Sequence, residues 1–464
     1  MRNTLIPKET VQKVLQTALD AGADFAELYY ENTQRNSLQY RDGKVETVLS
    51  GLDAGAGIRV FSGTNSAYAY TCDISLPTLM DAALSAAQAL KANAHEHCKD
   101  FVVAPSRKLQ HAMMRPQEVD AKERVKIAQQ AYQAAKNVSP EIVQTQVAVF
   151  DVLSHVLVAN SYGVWAEDER ARARLAVSTV ASANGEVQTG FEGPGAGRGF
   201  EFFSDLDIEG TAQQAAQTAI TMLHAPYAPA GKMAVAVGGG FGGVIFHEAC
   251  GHSLEATAVS KGNSEFVGKL GQKIASEKVT ALDDGTLPGA WGSIGYDDEG
   301  HPSQRNVLIE KGILKGYLID HMGSRRMGMP STGSGRRQNY RYAPTSRMTN
   351  TFIADGEDEN IIGSMQSGLY AKKMGGGSVN PLTGEFNFAV QEGYLVKNGQ
   401  IDRPVRGATL IGKGSEVLQK IDAVEKGMWM GEGMCGSVSG SVPTCVGEPL
   451  IRVSEILVGG REAQ

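Results

Sequence analysis

The densest concentration of reactive side chains lies at residues 246–255, Phe-His-Glu-Ala-Cys-Gly-His-Ser-Leu-Glu, where His247 and His252 bracket Glu248. Two imidazoles about one helical turn apart can converge on a divalent metal. A Zn²⁺ site of this kind uses neutral nitrogens or thiolates at about 2.0–2.3 Å, with a position left open for water. A glutamate directly after the first histidine can take a proton from water whose pKa the metal lowers to about 7. The residue types therefore point to metal-assisted hydrolysis, with His247 and His252 as ligands and Glu248 as general base. The plainer alternative is a hydrogen-bonded histidine pair on an ordinary helix.

The spacing is HExxxH, one residue longer than the familiar HExxH. On a regular helix the fourth residue returns to within about 40° of the first, whereas the fifth sits about 140° away. A plain helix would splay the rings. A one-residue π-bulge brings the fifth position back into line, and such bulges are frequent at functional sites. Gly251, directly before His252, is the residue type that most readily permits it. A π-turn or break is expected between Cys250 and His252, and an unbroken α-helix through Glu255 would contradict it.

A third ligand must come from Glu255, Cys250, Cys435 or Cys445. Glu255 lies within reach on the helix but reads equally as a solvated helix-end carboxylate, and Cys250 reads as a packing residue. Cys435, in Gly-Met-Cys-Gly, and Cys445, in Pro-Thr-Cys-Val-Gly, are not separated by chemistry alone. The His95-Glu96-His97-Cys98 run lies in a polar linker without a spaced partner pair and reads as solvated. Arg336, Arg337 and Arg341 could clamp a carboxylate through bidentate hydrogen bonds, though a solvated loop is the simpler reading.

One competing motif precedes the histidines. Gly238-x-Gly240-x-x-Gly243 between a strand and a helix matches the dinucleotide fingerprint of an NAD(P)-dependent oxidoreductase. Against it, Lys261-Gly-Asn-Ser-Glu265 follows where a second apolar parallel strand is needed, and no Gly-Lys-Ser/Thr completes a P-loop. The glycines read better as positions where backbone passes close to the metal site.

These residues need elements to hold them. With 464 residues the chain exceeds the usual size of a single core. The expected fold class is α+β. An N-terminal domain at 1–229, with submodules at about 1–92 and 118–229, combines antiparallel sheet with flanking helices. A helix over Val11 to Leu19 is followed by strands Phe25–Tyr30, Ser37–Arg41 and Lys44–Leu49, the last two joined at Asp42-Gly43, and then by a helix from about Leu76 to Lys91. Beyond the polar stretch 93–117 come a helix over Glu118–Lys136, strands Ile142–Phe150, His155–Ala159, Val164–Asp168 and Arg172–Ala183, and a helix near Asp207–Leu223. From 230 to 464 short glycine-punctuated strands predominate, giving a β-rich C-terminal domain that holds the HExxxH helix.

The formal charge of −7 gives no electrostatic reason to expect a nucleic-acid partner. The longest apolar stretch, Met233–Phe246, contains five glycines and is too short to span a membrane. Five cysteines, an odd number, do not form a disulfide framework, so a reducing cytoplasm is expected.

Beyond the histidine motif, landmarks at Gly57-Ile-Arg-Val, Gly377-Ser-Val-Asn-Pro-Leu-Thr-Gly-Glu-Phe-Asn-Phe, Pro404-Val-Arg-Gly-Ala-Thr-Leu-Ile-Gly and Gly447-Glu-Pro-Leu-Ile-Arg-Val-Ser run almost the whole chain. With them the sequence resembles the TldD/PmbA family of zinc metallopeptidases, in its TldD branch. The resemblance implies one Zn²⁺ per chain held by His247, His252 and a C-terminal cysteine carried over to Cys445, with Glu248 catalytic. It also implies a dimer, with a TldE/PmbA-type subunit or a second copy, enclosing a cavity that admits unfolded or small peptides, including precursors to be processed. A metal-stapled scaffold that only presents peptides is the non-enzymatic alternative, distinguished by a fully protein-coordinated metal.

Overall fold

The computed structural model describes residues 6–91, 93–380 and 383–461. Its N-terminal part runs α1 (Lys8–Asp20), β1 (Phe25–Arg41), β2 (Lys44–Ser62), β3 (Asn65–Thr71), α2 (Leu76–Leu90), β4 (Val102–Val103), α3 (Ala121–Lys136), β5 (Ile142–Asn160), β6 (Val164–Ala183), β7 (Glu186–Glu192), β8 (Gly195–Ala196), α4 (Phe202–Asp205) and α5 (Ile208–His224). The strands form one sheet in the order β3-β2-β1-β5-β6-β4, with β7 and β8 also on β6. Because β1 pairs antiparallel with β2 on one side and β5 on the other, the regions 1–92 and 118–229 share a single sheet.

Strands expected to be short are long. Breaks are expected at 31–36, 151–154 and 169–171, where polar residues such as Asp151, Ser154, Glu169 and Arg170 fall, yet β1, β5 and β6 run straight through them. The polar groups are satisfied across the sheet or by neighbouring elements. Thr33 Oγ1 donates to Ser154 Oγ at 2.8 Å, Arg124 Nε to Asp151 Oδ1 at 2.7 Å, and Arg170 Nη1 to Asp298 Oδ1 at 2.6 Å. Buried polar groups with partners do not terminate a strand.

Helices cover one face of this sheet. α1 buries Val11, Val14, Leu15, Ala18 and Leu19, the 3–4 spacing of an amphipathic helix, against a core shared with Leu79 and Ala83 of α2. α3 and α5 cover the other half with small residues such as Ala128, Ala131, Ala212 and Ala216. α3 starts at Ala121, three residues later than Glu118, because the Asp120 side chain caps it by accepting from Lys122 N at 2.9 Å.

The opposite face meets the C-terminal part through buried ion pairs. Arg59 Nη2 bonds Glu27 at 3.0 Å and Glu299 at 2.5 Å, and Arg337 Nη2 bonds Glu27 at 2.7 Å. Arg336 and Arg337 are therefore buried, at 3% and 4% exposure, rather than lying in a solvated loop. Of the three arginines only Arg341 is exposed, paired with Asp53.

The C-terminal part is β-rich. A seven-stranded sheet sets β9 (Gly231–Val237) between Ser367–Val379, in parallel, and Ile451–Gly459, antiparallel. A six-stranded sheet ends in the hairpin Trp429–Ser437 and Gly440–Glu448, whose second strand runs parallel to Asn350–Ile353. The helical segment carrying the histidines is packed in the core with these strands, with Val244, Ile245, Phe246, Cys250 and Leu254 alongside Val235, Leu369, Phe388 and Val446. No helix among the described residues is long and apolar enough to cross a membrane.

Candidate metal centre

The path from β9 into the histidines explains the glycines. A Cβ on Gly239 would lie 2.2 Å from Trp429 Nε1, one on Gly242 2.5 Å from Glu448 Oε1, and one on Gly243 2.5 Å from Gly447 N. The loop is thus pressed against the end of the hairpin 429–448, and that close approach accounts for its composition without a nucleotide. Its strand β9 leads into no βαβ unit of the dinucleotide kind: the next strand, Ala281–Asp284, belongs to a different sheet.

The helix then changes winding as the motif requires. Val244–Phe246 is α-helical, His247–Gly251 forms a π-helical turn, and His252–Leu254 closes in a 3₁₀ turn. The extra residue of the π turn offsets the five-residue spacing, so both rings lie on one side with centroids 5.0 Å apart and planes at 82°. Gly251 is needed there for a second reason, since a Cβ would approach Met348 Sδ to 2.3 Å.

The third group is Cys435. Its Sγ lies 3.3 Å from His247 Nε2 and 3.2 Å from His252 Nε2, and the three ligand atoms fall within 4.8 Å of one another. Cys445, the residue carried over from the resemblance, is not in this cluster. In the hairpin Cys435 is opposite Val442 while Cys445 is opposite Glu432. Directly opposed residues share a face, and residues an odd number apart along a strand face opposite ways. Cys445 therefore points to the far side of the hairpin from the histidines. Its position beside a Pro-Thr-Cys-Val-Gly landmark carries no information about parity, which only the paired register supplies. Cys250 is fully buried in the core among apolar residues, and His95, Glu96 and His97 are exposed.

Supporting groups fix these side chains. His252 Nδ1 contacts Glu255 Oε1 at 3.2 Å, which directs Nε2 into the cluster, the arrangement by which outer carboxylates orient metal-binding imidazoles. Glu255, buried, is thus no solvated helix-end carboxylate. Arg347, fully buried, donates through Nη2 to the Cys435 carbonyl and through Nη1 to Ser439 Oγ at 3.0 Å and Gly440 O at 2.9 Å, tying the hairpin turn to the site. Sequence reading missed Arg347, which has no motif signal. Glu248 Oε2 lies 3.7 Å from His252 Nε2, beside the cluster, with its side chain 28% exposed.

The electrostatics favour a thiolate among imidazoles. Burial acts to raise the Cys435 thiol, but the charges and hydrogen bonds of His247 and His252 outweigh it and push it down to about 3. Burial likewise opposes charge on His252, and Glu255 and Cys435 overcome it and raise that ring well above its ordinary value. His247 Nδ1 has no protein partner although buried. A tetrahedral zinc with legs of 2.0–2.3 Å would set nitrogen and sulfur about 3.5 Å apart. The observed separations of 3.3 and 3.2 Å fit such a metal with small adjustments.

The mixed α+β fold draws two histidines and one cysteine into a group of the kind that can hold a metal ion. Domain models described as PmbA/TldA metallopeptidase domain 1, central domain and C-terminal domain match residues 26–94, 115–223 and 230–460. A metalloprotease TldD homolog from Haemophilus influenzae is 36% identical over 97% of this chain and 96% of its own length. The TldD homolog from Buchnera aphidicola subsp. Acyrthosiphon pisum is 32% identical over 94% of this chain and 93% of its own length. Among solved structures, one from Thermotoga maritima superposes with a TM-score of 0.81 at 22% identity, covering 97% of this chain and 100% of that one. TldE from Thermococcus kodakarensis gives 0.76 at 20% identity, with the same coverage. The chain belongs to the PmbA/TldD family of metallopeptidases.

Proposed function

We propose that this chain is a zinc-dependent peptidase acting on unfolded or small peptides, including precursors, with His247, His252 and Cys435 as the metal ligands and Glu248 as the catalytic residue. The observation that carries the reading is the convergence of two imidazole nitrogens and one thiol sulfur beside a partly exposed glutamate. When bound, zinc supplies Lewis acidity toward the scissile carbonyl and toward water. The chain's own part is positional and protonic. Glu255 holds His252 by Nδ1, Arg347 holds the Cys435 segment by its carbonyl, and the Glu248 carboxylate accepts a proton from the attacking water and delivers it to the leaving amine. His247, His252 and Cys435 would hold zinc through three protein ligands, a number that suits a catalytic site better than a metal-stapled scaffold.

The reading extends to organisation. The chain divides into an N-terminal unit at 1–229 and a catalytic unit at 230–464, works in the cytoplasm, and pairs with a TldE/PmbA-type subunit or a second copy to enclose the site. The likeness in fold to TldE supports such a pairing, since subunits of one fold readily assemble about a pseudo-two-fold axis.

Glu248→Gln tests the assignment. Bound metal should remain near one zinc per chain by plasma mass spectrometry, while cleavage of an unfolded peptide falls by roughly 10²–10⁴-fold. Full activity in this variant would refute the role of Glu248.

A further inference from the structure

The hairpin 429–448 has a second face, and it looks into a cleft of about 480 Å³ between the N-terminal sheet and the C-terminal part. Met434 and Pro443 stand opposite one another on that face. Across the cleft, Arg170, Arg172 and Arg174 alternate along β6 and leave the same side of the sheet.

The arginines differ in how their charge is met. Arg170 is held by Asp298 at 2.6 Å and Asp168 at 3.0 Å. Arg172, Arg174 and Arg336 have backbone carbonyls as their partners. Arg172 Nε donates to Trp291 O at 2.8 Å, Arg174 to Gly193 O at 3.0 Å and Glu432 O at 3.1 Å, and Arg336 through Nη1 to Met348 O and through Nη2 to Pro443 O at 2.7 Å, each terminal nitrogen keeping one further N–H. Carbonyls orient a guanidinium but carry no net charge. Arg172 and Arg336 are 7% and 3% exposed, and charges buried this deeply are ordinarily paired. Burial, reinforced by Arg336 and Arg170, pushes Arg172 down to about 9. Burial likewise pushes Arg336 down to about 10, with Arg347 and Arg170 adding repulsion that Asp298 and Asp283 only partly oppose. Glu31 and Asp53 line another part of the same cleft, Asp298 lines it but is bonded to Arg170 and to Arg337 N, and Glu432 opposes the charge of Arg174, so the least-balanced positive charge lies at Arg172 and Arg336. That pattern suits a singly charged group rather than a polyanion.

We propose that this cleft binds a carboxylate group, gripped between Arg172 and Arg336 with Arg174 at its rim. Planar guanidinium forks match a carboxylate in shape and make charge-assisted hydrogen bonds to it. The carboxylate can come from an acidic residue of a peptide or from a free small acid. The inference is about binding, so it stands or falls separately from the peptidase reading.

The test is a titration of the full chain carrying Glu248→Gln, which keeps peptides intact, with two probes. One is a fluorescent alanine pentapeptide with a central glutamate, compared with its glutamine counterpart. The other is succinate, read by calorimetry and repeated in the chain with Glu248 intact. A glutamate peptide binding at least about tenfold tighter than the glutamine peptide, with the ratio collapsing toward one in Arg172→Gln, supports the site and identifies a peptide source. Succinate binding that Arg172→Gln abolishes, without peptide discrimination, supports the site with a free acid as occupant. If Arg172→Gln does not fold, the less buried Arg174→Gln should reduce either signal severalfold. Neither probe binding by charge, or binding unchanged in both variants, overturns the proposal.

Discussion

Cys435 and Cys445 sit on the two strands of one hairpin, both buried, and their surroundings drive them in opposite directions. On one face, two imidazoles overcome burial and bring the Cys435 thiol down to about 3. On the other, burial and then the Glu432 carboxylate push the Cys445 thiol up to about 12. The first is held as a thiolate between two imidazoles; the second stays a neutral thiol beside the Glu432 carboxyl and the Arg172 guanidinium. The two faces of one hairpin thus hold a thiolate grouped with two imidazoles and a thiol that only packs. The chemistry of a cysteine here follows the face it occupies, and the motif around it says little.

The strongest way to break this comparison is to remove each thiol in turn and measure metal retained after dialysis against a weak chelator. Cys435→Ala should lose more affinity than the roughly 10–100-fold that loss of an outer hydrogen-bond partner costs, while Cys445→Ala keeps its metal. Equal loss from the two variants would abolish the distinction. A smaller effect sharpens the metal face. Glu255→Gln keeps all three ligands but loosens the His252 ring, so zinc affinity should fall by about 10–100-fold, and unchanged affinity would show that Glu255 does not orient the ring.

The far face offers the smallest effect, in stability against pH. Burial raises the Glu432 carboxyl to about 7 from an ordinary 4.5. The folded chain thus holds this proton more tightly than the unfolded one, and the contribution is fully present below about 4.5 and lost as pH rises through about 7. Glu432→Gln should therefore flatten the decline in stability between those values by on the order of 1–2 kcal/mol, allowing for partial exposure. Urea unfolding at the two ends of that window checks it, and an unaltered pH slope would remove Glu432 as its source.

Much of the fold could be read directly. The amphipathic spacing of Val11 to Leu19, the Asp42-Gly43 turn and the helix ending near Lys136 all appear where local rules place them. The long strands β1, β5 and β6 could not be read, because their polar interruptions are satisfied by groups far away in sequence, such as Arg124 for Asp151 and Asp298 for Arg170. The same blindness affects Arg336 and Arg337. A run rich in arginine reads as solvated, and only packing against the N-terminal sheet buries it.

For the site itself, the dividing line falls between the histidines and the cysteine. Spacing alone implied that a five-residue interval needs a π turn to align two rings, and the turn spans His247–Gly251. That inference needed only the pitch of a helix, which every residue of the segment shares. The thiol was decided by the register of the hairpin and by its docking onto the glycine loop, contacts separated by nearly two hundred residues of chain. Nothing local to Cys435 or Cys445 encodes which face of the hairpin will meet the histidines, because facing is a property of two strands and their packing partner together.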